Sequence, residues 1–270
     1  MKMNENYQLY HGDCLEIMPQ LIEDGVKVDL ILTDPPYGTT ACKWDSVIPF
    51  EPMWDCIGKL TKKTTPIVLF GMEPFSTVLR YSKINWFKYD WIWEKDVHAS
   101  FGIAKYQPLR YHEIISVFTN GGGKSEYYPQ MIERKSPRIK QAIKNNYSFK
   151  TGHHEGIMVG AKNIDNPASK FNPDYKYPSS VLHFNRLRGN SHEKVAHPTQ
   201  KPVKLLEYLI KTYTNENDVV LDFTMGSGST GVACMNLNRK FIGIELEEKY
   251  YNIATERLKE ATQSKQTTLI

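Results

Sequence analysis

The sequence is poor in the cysteine patterns that mark metal-binding or disulfide-rich proteins. Its four cysteines lie at positions 14, 42, 56 and 234 and form no CxxC pair. This spacing fits neither a zinc site nor a disulfide framework. The cysteines therefore indicate reduced thiols in a cytoplasmic protein. Three histidines, His153, His154 and His183, lack an acidic or cysteine partner at ligand spacing, so no metal site is expected.

The sequence also lacks long apolar runs, internal repeats and low-complexity segments. No stretch approaches the roughly 18 apolar residues of a membrane-spanning helix, and residues 1–10 are too polar for a secretory signal. We therefore expect no membrane partner. With 270 residues, of which 40% are hydrophobic, the chain is expected to form one α/β domain with an inserted subdomain rather than two independent cores.

A tetrapeptide near the N-terminus, Asp34-Pro35-Pro36-Tyr37, follows the apolar run 28–33 directly. A short apolar run bounded by two prolines predicts a buried parallel strand. The tetrapeptide then lies at the carboxyl end of that strand, where open α/β sheets keep their active sites. Two prolines stiffen the turn, because each fixes φ. The predicted loop presents a carboxylate, free backbone carbonyls and an aromatic face, which suits a planar ring with an amino group on its edge.

A second buried strand is predicted at 218–222, followed by the glycine-rich turn 223–230 and a helix at 231–238. This order is typical of a Rossmann-type cofactor site, and the absence of a Lys before Ser229 excludes a Walker phosphate loop. A third strand, 240–245, ends in Glu245, 23 residues after Asp222. That spacing suits a carboxylate bound to both hydroxyls of a ribose. The alternative for Glu245 is a solvated strand end.

The hexapeptide 197–202, His-Pro-Thr-Gln-Lys-Pro, directly precedes a helix-like segment at 203–210. Pro202 suits the first turn of a helix, where its missing N–H costs nothing. The hydroxyl of Thr199 and the ammonium of Lys201, close to free helix N–H groups, predict a site for a carboxylate. A simple helix cap is the alternative.

These segments together resemble motifs of the amino-group DNA methyltransferases, which methylate adenine N6 or cytosine N4. The matching segments are the D-P-P-Y tetrapeptide, the hexapeptide, the glycine turn, and His11-Gly12-Asp13-Cys14-Leu15, for which an ordinary turn is the alternative. The resemblance runs from about residue 8 to 260 with a gap in the middle, and the motif order is similar to the β group. Against the family pattern D-P-F-x-G-S-G-T-T, Phe223 replaces Pro, Thr224 replaces Phe and Ser229 replaces Thr.

The resemblance implies a fold, a cofactor and a set of site residues. The fold is a Rossmann-like, S-adenosyl-L-methionine-dependent methyltransferase sheet with helices on both faces and an inserted target-recognition region. The implied catalytic residues are Asp34, Pro35, Pro36 and Tyr37. The implied cofactor-binding residues are Asp13, Cys14, Asp34, Thr199, Lys201, Asp222, Phe223, Gly226, Ser227, Gly228, Thr230 and Glu245.

The implied reaction is methylation of adenine N6 in a flipped-out base of a specific DNA site. D-P-P-Y is commoner in the adenine enzymes, so adenine is preferred to cytosine N4. N-methylation of RNA or protein, and a DNA-binding module without turnover, remain alternatives. No cysteine follows a proline, so the Pro-Cys nucleophile of cytosine C5 methyltransferases is absent.

A basic, loop-rich segment occupies the gap between the motifs. Residues 121–200 hold 13 Lys/Arg and 6 Asp/Glu, a net charge of +7, which leaves −3 for the rest of the chain. Basic groups interleaved with aromatic residues suit phosphate contact and base readout, although a solvated charged face is the alternative. The candidate DNA-binding residues are Arg134, Lys135, Arg138, Lys140, Arg186 and Arg188.

The predicted organisation is a catalytic and cofactor-binding domain over 1–120 and 186–262, a target-recognition insert over 121–185, and a polar tail over 263–270. Further strands are predicted at 66–70, 89–93 and 113–118, and a helix at 51–62. The segments Trp93-Glu94-Lys95 and His112-Glu113 lie at strand boundaries near the active edge, where they shape the base pocket or simply pack. Expected partners are double-stranded DNA, a second copy of the chain in a homodimer and a cognate restriction endonuclease.

Overall fold

The computed structural model describes residues 2–39, 45–99, 101–135, 174–189, 191 and 193–268. The predicted candidates Arg138 and Lys140, together with Cys42 and the His153-His154 pair, lie outside these residues. No helix of the described chain has the length and apolar character needed to cross a membrane.

Eleven strands and six α-helices occur in the described residues. The strands are β1 Lys2–Met3, β2 Tyr7–His11, β3 Leu30–Thr33, β4 Pro66–Gly71, β5 Phe87–Ala99, β6 Arg110–Thr119, β7 Ile132–Glu133, β8 Tyr175–Lys176, β9 Val181–His183, β10 Val219–Asp222 and β11 Lys240–Glu245. The α-helices are α1 Cys14–Glu23, α2 Phe50–Leu60, α3 Phe75–Ser82, α4 Val203–Tyr213, α5 Ser229–Asn236 and α6 Glu248–Thr268.

Nine of these strands form one sheet in the order β1-β2-β11-β10-β3-β4-β6-β5-β9. The centre, from β2 to β4, is parallel, whereas β6 runs antiparallel to both β4 and β5. Every residue of β3 is buried, as its continuous apolar sequence predicts. Because β3 and β10 are parallel neighbours, with Leu221 opposite Ile31, the loops that follow them leave from the same edge. This pairing brings the tetrapeptide beside the glycine turn.

Helices cover both faces of the sheet, which confirms the predicted fold class. On one face, α1, α2 and α3 bury residues such as Met18, Trp54 and Leu79. On the other, α4, α5 and α6 bury residues such as Leu209 and Leu258. Burial of these apolar side chains, at about 25 cal/mol per Å² of surface removed from water, holds the active edge in place.

The C-terminal segment continues the last helix. Residues 263–268, which begin the predicted polar tail, belong to α6. The reason is local: no Gly or Pro follows Gly243, and Ala, Glu, Lys and Gln are good helix formers.

The chain forms two compact units, Met1–Tyr128 with Ser180–Ile270, and Pro129–Ser179. The second unit begins later and ends earlier than the predicted insert 121–185. Tyr128, the residue before the second unit, belongs to the first unit, where its amide donates to the carbonyl of Thr212 at 2.7 Å. The strand β9, which follows the second unit, also belongs to the first unit and pairs with β5. Within the second unit, β7 and β8 form an antiparallel pair.

Candidate active site

A cavity of about 590 Å³ opens at the carboxyl edge of β3, β10 and β11, within the first unit. The tetrapeptide 34–37 and the glycine turn 223–230 both line it, as do Glu245 and the hexapeptide 197–202. Segments that lie far apart in the sequence therefore meet at one site. The central parallel strands explain the convergence, because their carboxyl ends share one edge.

Asp34 lies in the cavity with both carboxylate oxygens engaged. The hydroxyl of Tyr37 donates to Oδ1, and the ammonium of Lys201 contacts Oδ2. The hydroxyl of Thr224 donates to the Asp34 carbonyl at 3.1 Å. Burial raises the pKa of Asp34 against the opposing effect of Lys201, while Glu113 raises it further. Each oxygen of this carboxylate thus accepts from one donor of the protein.

Tyr37 is fixed from two sides. Its ring packs against Phe75 with the centroids 5.0 Å apart, and its hydroxyl is held by Asp34. Burial and the neighbouring carboxylates of Asp34 and Glu113 raise the pKa of Tyr37 well above its ordinary value. The hydroxyl therefore stays protonated and acts as a donor.

Asp45 anchors the loop that continues from the tetrapeptide. Its Oδ1 accepts from the amides of Tyr37 at 2.8 Å and Gly38 at 2.9 Å, and its Oδ2 accepts from the amide of Thr39 at 2.9 Å. The side chain is only 8% exposed. Three charge-assisted hydrogen bonds, donated by backbone amides to one buried carboxylate, fix the backbone that presents Tyr37.

We predict that Asp45→Ala lowers kcat by about 10-fold to 100-fold, because the catalytic loop loses its anchor and small displacements are costly in rate. The free energy of unfolding should fall by about 1–3 kcal/mol, since three amides lose their acceptor. Steady-state methylation assays measure kcat, and thermal unfolding measures the stability. Asp45→Asn keeps one acceptor oxygen, so its kcat should lie between those of the wild type and Asp45→Ala. Equal kcat values for all three proteins would show that Asp45 does not anchor the loop.

The glycine turn requires its glycines. Gly226 and Gly228 have φ values of +53° and +75°, a region that side-chain-bearing residues rarely adopt. A Cβ on Gly226 would lie 2.8 Å from Nε2 of His197, and one on Gly228 would lie 2.8 Å from Cβ of Ala254. The turn is therefore tight as well as strained.

Glu245 closes the same turn from β11. Its Oε2 accepts from the amide of Gly226 at 2.8 Å, and its Oε1 accepts from the amide of Glu247 at 2.8 Å. Burial raises the pKa of Glu245, against the lowering effect of these two amides. The carboxylate is thus a buried member of the site and not a solvated strand end.

Asp222 holds the loops of β3 and β10 together. Its Oδ1 accepts from the Thr33 hydroxyl at 2.6 Å and the Thr224 amide at 3.2 Å, and its Oδ2 accepts from the Thr230 hydroxyl at 2.6 Å. Burial raises the pKa of Asp222 to about 6. Phe223 is buried beside it at 1% exposure. These contacts place both residues in the framework of the turn.

The N-terminus of α1 forms another wall of the cavity. Asp13 caps this helix, and its Oδ1 accepts from the amide of Leu15 at 2.8 Å. Cys14 is buried, and burial raises the pKa of its thiol to about 12. The segment is therefore a capped helix start with an unreactive thiol.

The residues of the hexapeptide 197–202 have different environments. Thr199 is exposed and lines the cavity, whereas Lys201 is buried and reaches Asp34. Gln200 braces the segment, because its amide donates to the carbonyl of Glu193 at 2.7 Å and its oxygen accepts from the amide of Val195 at 2.9 Å. Pro202 immediately precedes α4. Lys201, the lysine predicted to meet the cofactor, thus contacts the carboxylate of Asp34.

His197 lies against the glycine turn, and its ring meets that of Tyr250 edge-on with the centroids 4.3 Å apart. Burial, together with Lys201, Lys194 and Arg257, lowers the pKa of His197 to about 4. The imidazole is consequently neutral near pH 7.

This depressed pKa predicts a pH-dependent stability. Between pH 6.5 and about 4 the unfolded chain binds a proton at His197 that the folded chain does not, so stability falls as the pH falls. Relative to His197→Asn, the wild type should lose about 3 kcal/mol across this window. Denaturant titrations of both proteins at several pH values measure the difference. A difference that does not vary with pH would show that His197 titrates normally.

The predicted DNA-binding residues that the structure describes have different environments. Arg186 is exposed and lines the cavity. Arg188 pairs with Asp96 at 2.6 Å on the neighbouring strand. In the second unit, Nε of Arg134 donates to the carbonyl of Tyr175 at 3.0 Å, and Lys135 follows directly in the chain. Among the residues that the structure describes, no group of three or more His, Cys, Asp or Glu could hold a metal ion.

A family model described as DNA methylase, which covers N6 and N4 enzymes, matches residues 28–256. The chain belongs to this DNA methylase family. DNA adenine methyltransferase YhdJ of Escherichia coli is 30% identical over 275 residues, which cover 94% of the methylase and 83% of the relative. Type II methyltransferase M1.MboII of Moraxella bovis is 28% identical over 93% of the methylase and 96% of the relative.

Among solved structures, the complex of M1.HpyAVI with SAM is 26% identical, with a TM-score of 0.60, and the match covers 93% of the methylase and 100% of that chain. These matches confirm the resemblance to the amino-group DNA methyltransferases. The motifs that indicate it are short, whereas the matches extend over nearly the whole chain.

Two residues of the methylase that the motifs do not include, Lys95 and Glu113, also line the cavity. Glu113 on β6 pairs with Lys95 on β5 and lies 3.3 Å from Nζ of Lys201. Their position at strand boundaries was the only signal in the sequence. Arg257 of α6 was missed entirely: its guanidinium donates to the carbonyl of Ser227 at 2.6 Å and the hydroxyl of Ser229 at 3.1 Å.

Proposed function

We propose that the methylase transfers a methyl group from S-adenosyl-L-methionine to N6 of an adenine flipped out of a specific site in double-stranded DNA. One observation carries the proposal: a buried carboxylate on a proline-stiffened loop, Asp34, shares a cavity with the glycine turn and Glu245. The first element suits an amino group on a planar ring, and the second suits a nucleoside cofactor.

The residues present fit the cofactor. Gly226 lines the cavity without a side chain, so the backbone of the turn can approach a ligand closely. Each oxygen of Glu245 accepts one amide and keeps a second lone pair for a ribose hydroxyl. Thr199 and the start of α1 complete the lining. When bound, the cofactor supplies a methyl group already activated on a sulfonium.

The chain supplies position and hydrogen-bond acceptors. The lone pair of the adenine amine is delocalised into its ring, so the amine is a poor nucleophile. The Asp34 carboxylate and the Pro35 carbonyl accept its two N–H groups and favour a more tetrahedral nitrogen. Pro36 keeps the loop rigid, and Tyr37, already held by Phe75, offers an aromatic surface for the base. Positioning of this kind supplies much of the rate enhancement.

Adenine is preferred because the E. coli relative is named a DNA adenine methyltransferase. Cytosine N4 is the second candidate, because the family model covers both classes. Extrusion of the base from the duplex costs a few kcal/mol, which stacking and phosphate contacts offset. Arg186, at the cavity, is the candidate among the described residues for such a contact.

The partners follow from the same proposal. Double-stranded DNA is the proposed substrate, and a DNA substrate supports the predicted cytoplasmic location. The name of M1.MboII as a type II methyltransferase supports a cognate restriction endonuclease, and the β-group motif order supports a homodimer. The basic segment 121–185, with Arg134, Lys135, Arg138 and Lys140, is the proposed target-recognition region.

Expression in a bacterial host without DNA methyltransferases, followed by single-molecule sequencing of its genome, tests the proposal. We expect N6-methyladenine at one short recognition sequence and none in cells that carry Asp34→Ala. N4-methylcytosine would favour the second candidate. Unmodified DNA, together with methyl incorporation into RNA or protein by the purified enzyme, would overturn the proposal.

A further inference from the structure

Four side chains of alternating charge form a chain across the base side of the cavity. Lys95 pairs with Glu113, Glu113 lies 3.3 Å from Lys201, and Lys201 pairs with Asp34. They come from four separate segments: β5, β6, the loop before α4 and the loop after β3. All four are largely shielded, with side-chain exposures of 15%, 12%, 9% and 23% respectively.

This arrangement weakens Asp34 as an acceptor for the target amine. Asp34 must accept an N–H of that amine, whose nitrogen gains positive charge as the methyl group arrives, yet Lys201 neutralises the carboxylate and Tyr37 donates to its other oxygen. The carboxylate acts on the amine with its full charge only when one of these donors yields. Release of a buried donor is costly when it has no other acceptor, because its hydrogen bond is lost without compensation from water.

Lys201 is the donor that can yield. Its ammonium already faces a second carboxylate, Glu113, whereas the structure gives the Tyr37 hydroxyl no acceptor other than Asp34 among the described residues. The ring of Phe70 lies 5.0 Å from Nζ of Lys201 and stabilises the cation further. Lys201 can therefore leave Asp34 without becoming an unpaired buried charge.

We propose that Glu113 is a positioning residue that takes Lys201 from Asp34 when the target amine binds, an inference that rests on the proposed function. The four formal charges sum to zero before and after the exchange, so the cavity keeps its charge balance. Lys95 holds Glu113 in place from the far side. In the empty cavity, Lys201 keeps the carboxylate paired; with substrate present, Glu113 frees it.

Without Glu113, Lys201 has only Asp34 as an anionic partner in this chain of charges. The ion pair then competes directly with the amine for the carboxylate. Loss of Glu113 should consequently slow the chemical step while leaving the cofactor side of the cavity intact, since Glu245 is held by the amides of Gly226 and Glu247 and Glu113 by Lys95 and Lys201.

The test is a double-mutant cycle on the purified full-length enzyme with duplex DNA and radiolabelled S-adenosylmethionine. Glu113→Gln should lower kcat by roughly 30-fold, with KM for DNA and cofactor within about twofold. In a Lys201→Met background there is no cation to move, so Glu113→Gln should add less than about a threefold further loss. Glu113→Asp, which keeps the charge, should recover part of the rate.

Thermal unfolding and cofactor affinity measured on each variant separate a positioning defect from a folding defect. If Glu113→Gln does not fold, Lys95→Met, which loosens Glu113 without removing it, should show the same selective loss of kcat. Full activity of Glu113→Gln, or an equal loss with and without Lys201, would overturn the inference. A wild-type enzyme that fails to methylate DNA would instead contradict the proposed function.

Discussion

Replacement of Asp34 by alanine is expected to lower the rate of methyl transfer by about 10³-fold or more, because the amine loses the acceptor that the active site aims at it. The affinity for S-adenosylmethionine should stay within about threefold. Lys201 retains Glu113 as a partner at 3.3 Å, so the substitution does not strand a buried cation, and the fold should survive.

Single-turnover assays on duplex DNA measure the rate, and calorimetric titration measures cofactor affinity. Asp34→Asn keeps the shape and one acceptor oxygen and should be less damaging than Asp34→Ala. Asp55→Asn, which disrupts an exposed ion pair with Lys59 on α2, is the matched control and should leave the rate unchanged. Near-normal turnover by Asp34→Ala would remove the carboxylate from the mechanism.

The parts of the site that the sequence predicted are those encoded locally. The tetrapeptide 34–37 and the glycine turn each consist of consecutive residues that follow an apolar run, so strand, loop and chemistry can be inferred together. The strands that position these two segments could also be predicted. Short buried strands such as β3 and β10 appear as uninterrupted apolar sequence, and their parallel pairing follows from the alternation of strands with helices.

The parts that the sequence did not predict depend on pairings across the chain. Lys201 and Asp34 lie 167 positions apart, and nothing local indicates that the lysine contacts this carboxylate. The same holds for Arg188, whose partner Asp96 lies 92 positions away. The role of Asp45 could not be predicted either. Nothing in the sequence around a single acidic residue distinguishes a buried acceptor of backbone amides from a surface charge.

The extended hairpin of β5 and β6 shows a further limit. Its strands run well beyond the predicted 89–93 and 113–118, to Ala99 and from Arg110. The extensions contain charged and aromatic residues and face solvent on at least one side, so they lack the apolar run that marked their buried halves. Backbone pairing between adjacent antiparallel strands continues where hydrophobic patterning has stopped.

The second large effect is expected at the cofactor turn, where Gly226→Ala should weaken binding of S-adenosylmethionine by about 30-fold, or about 2 kcal/mol. Two causes act together. The backbone at φ +53° disfavours a side chain, and the new Cβ would lie 2.8 Å from Nε2 of His197. His197 cannot simply turn away, because its ring is buried against Tyr250.

Gly25→Ala separates these causes. Gly25 has a similarly positive φ of +73°, but a Cβ there would meet nothing within 4 Å. Both variants should therefore lose comparable stability from backbone strain, about 1 kcal/mol, whereas only Gly226→Ala should lose cofactor affinity. Calorimetric titration and denaturant unfolding of the two proteins give the comparison. Equal cofactor affinity in the two variants would mean that the turn does not approach the cofactor. Backbone strain would then be the only effect of Gly226→Ala.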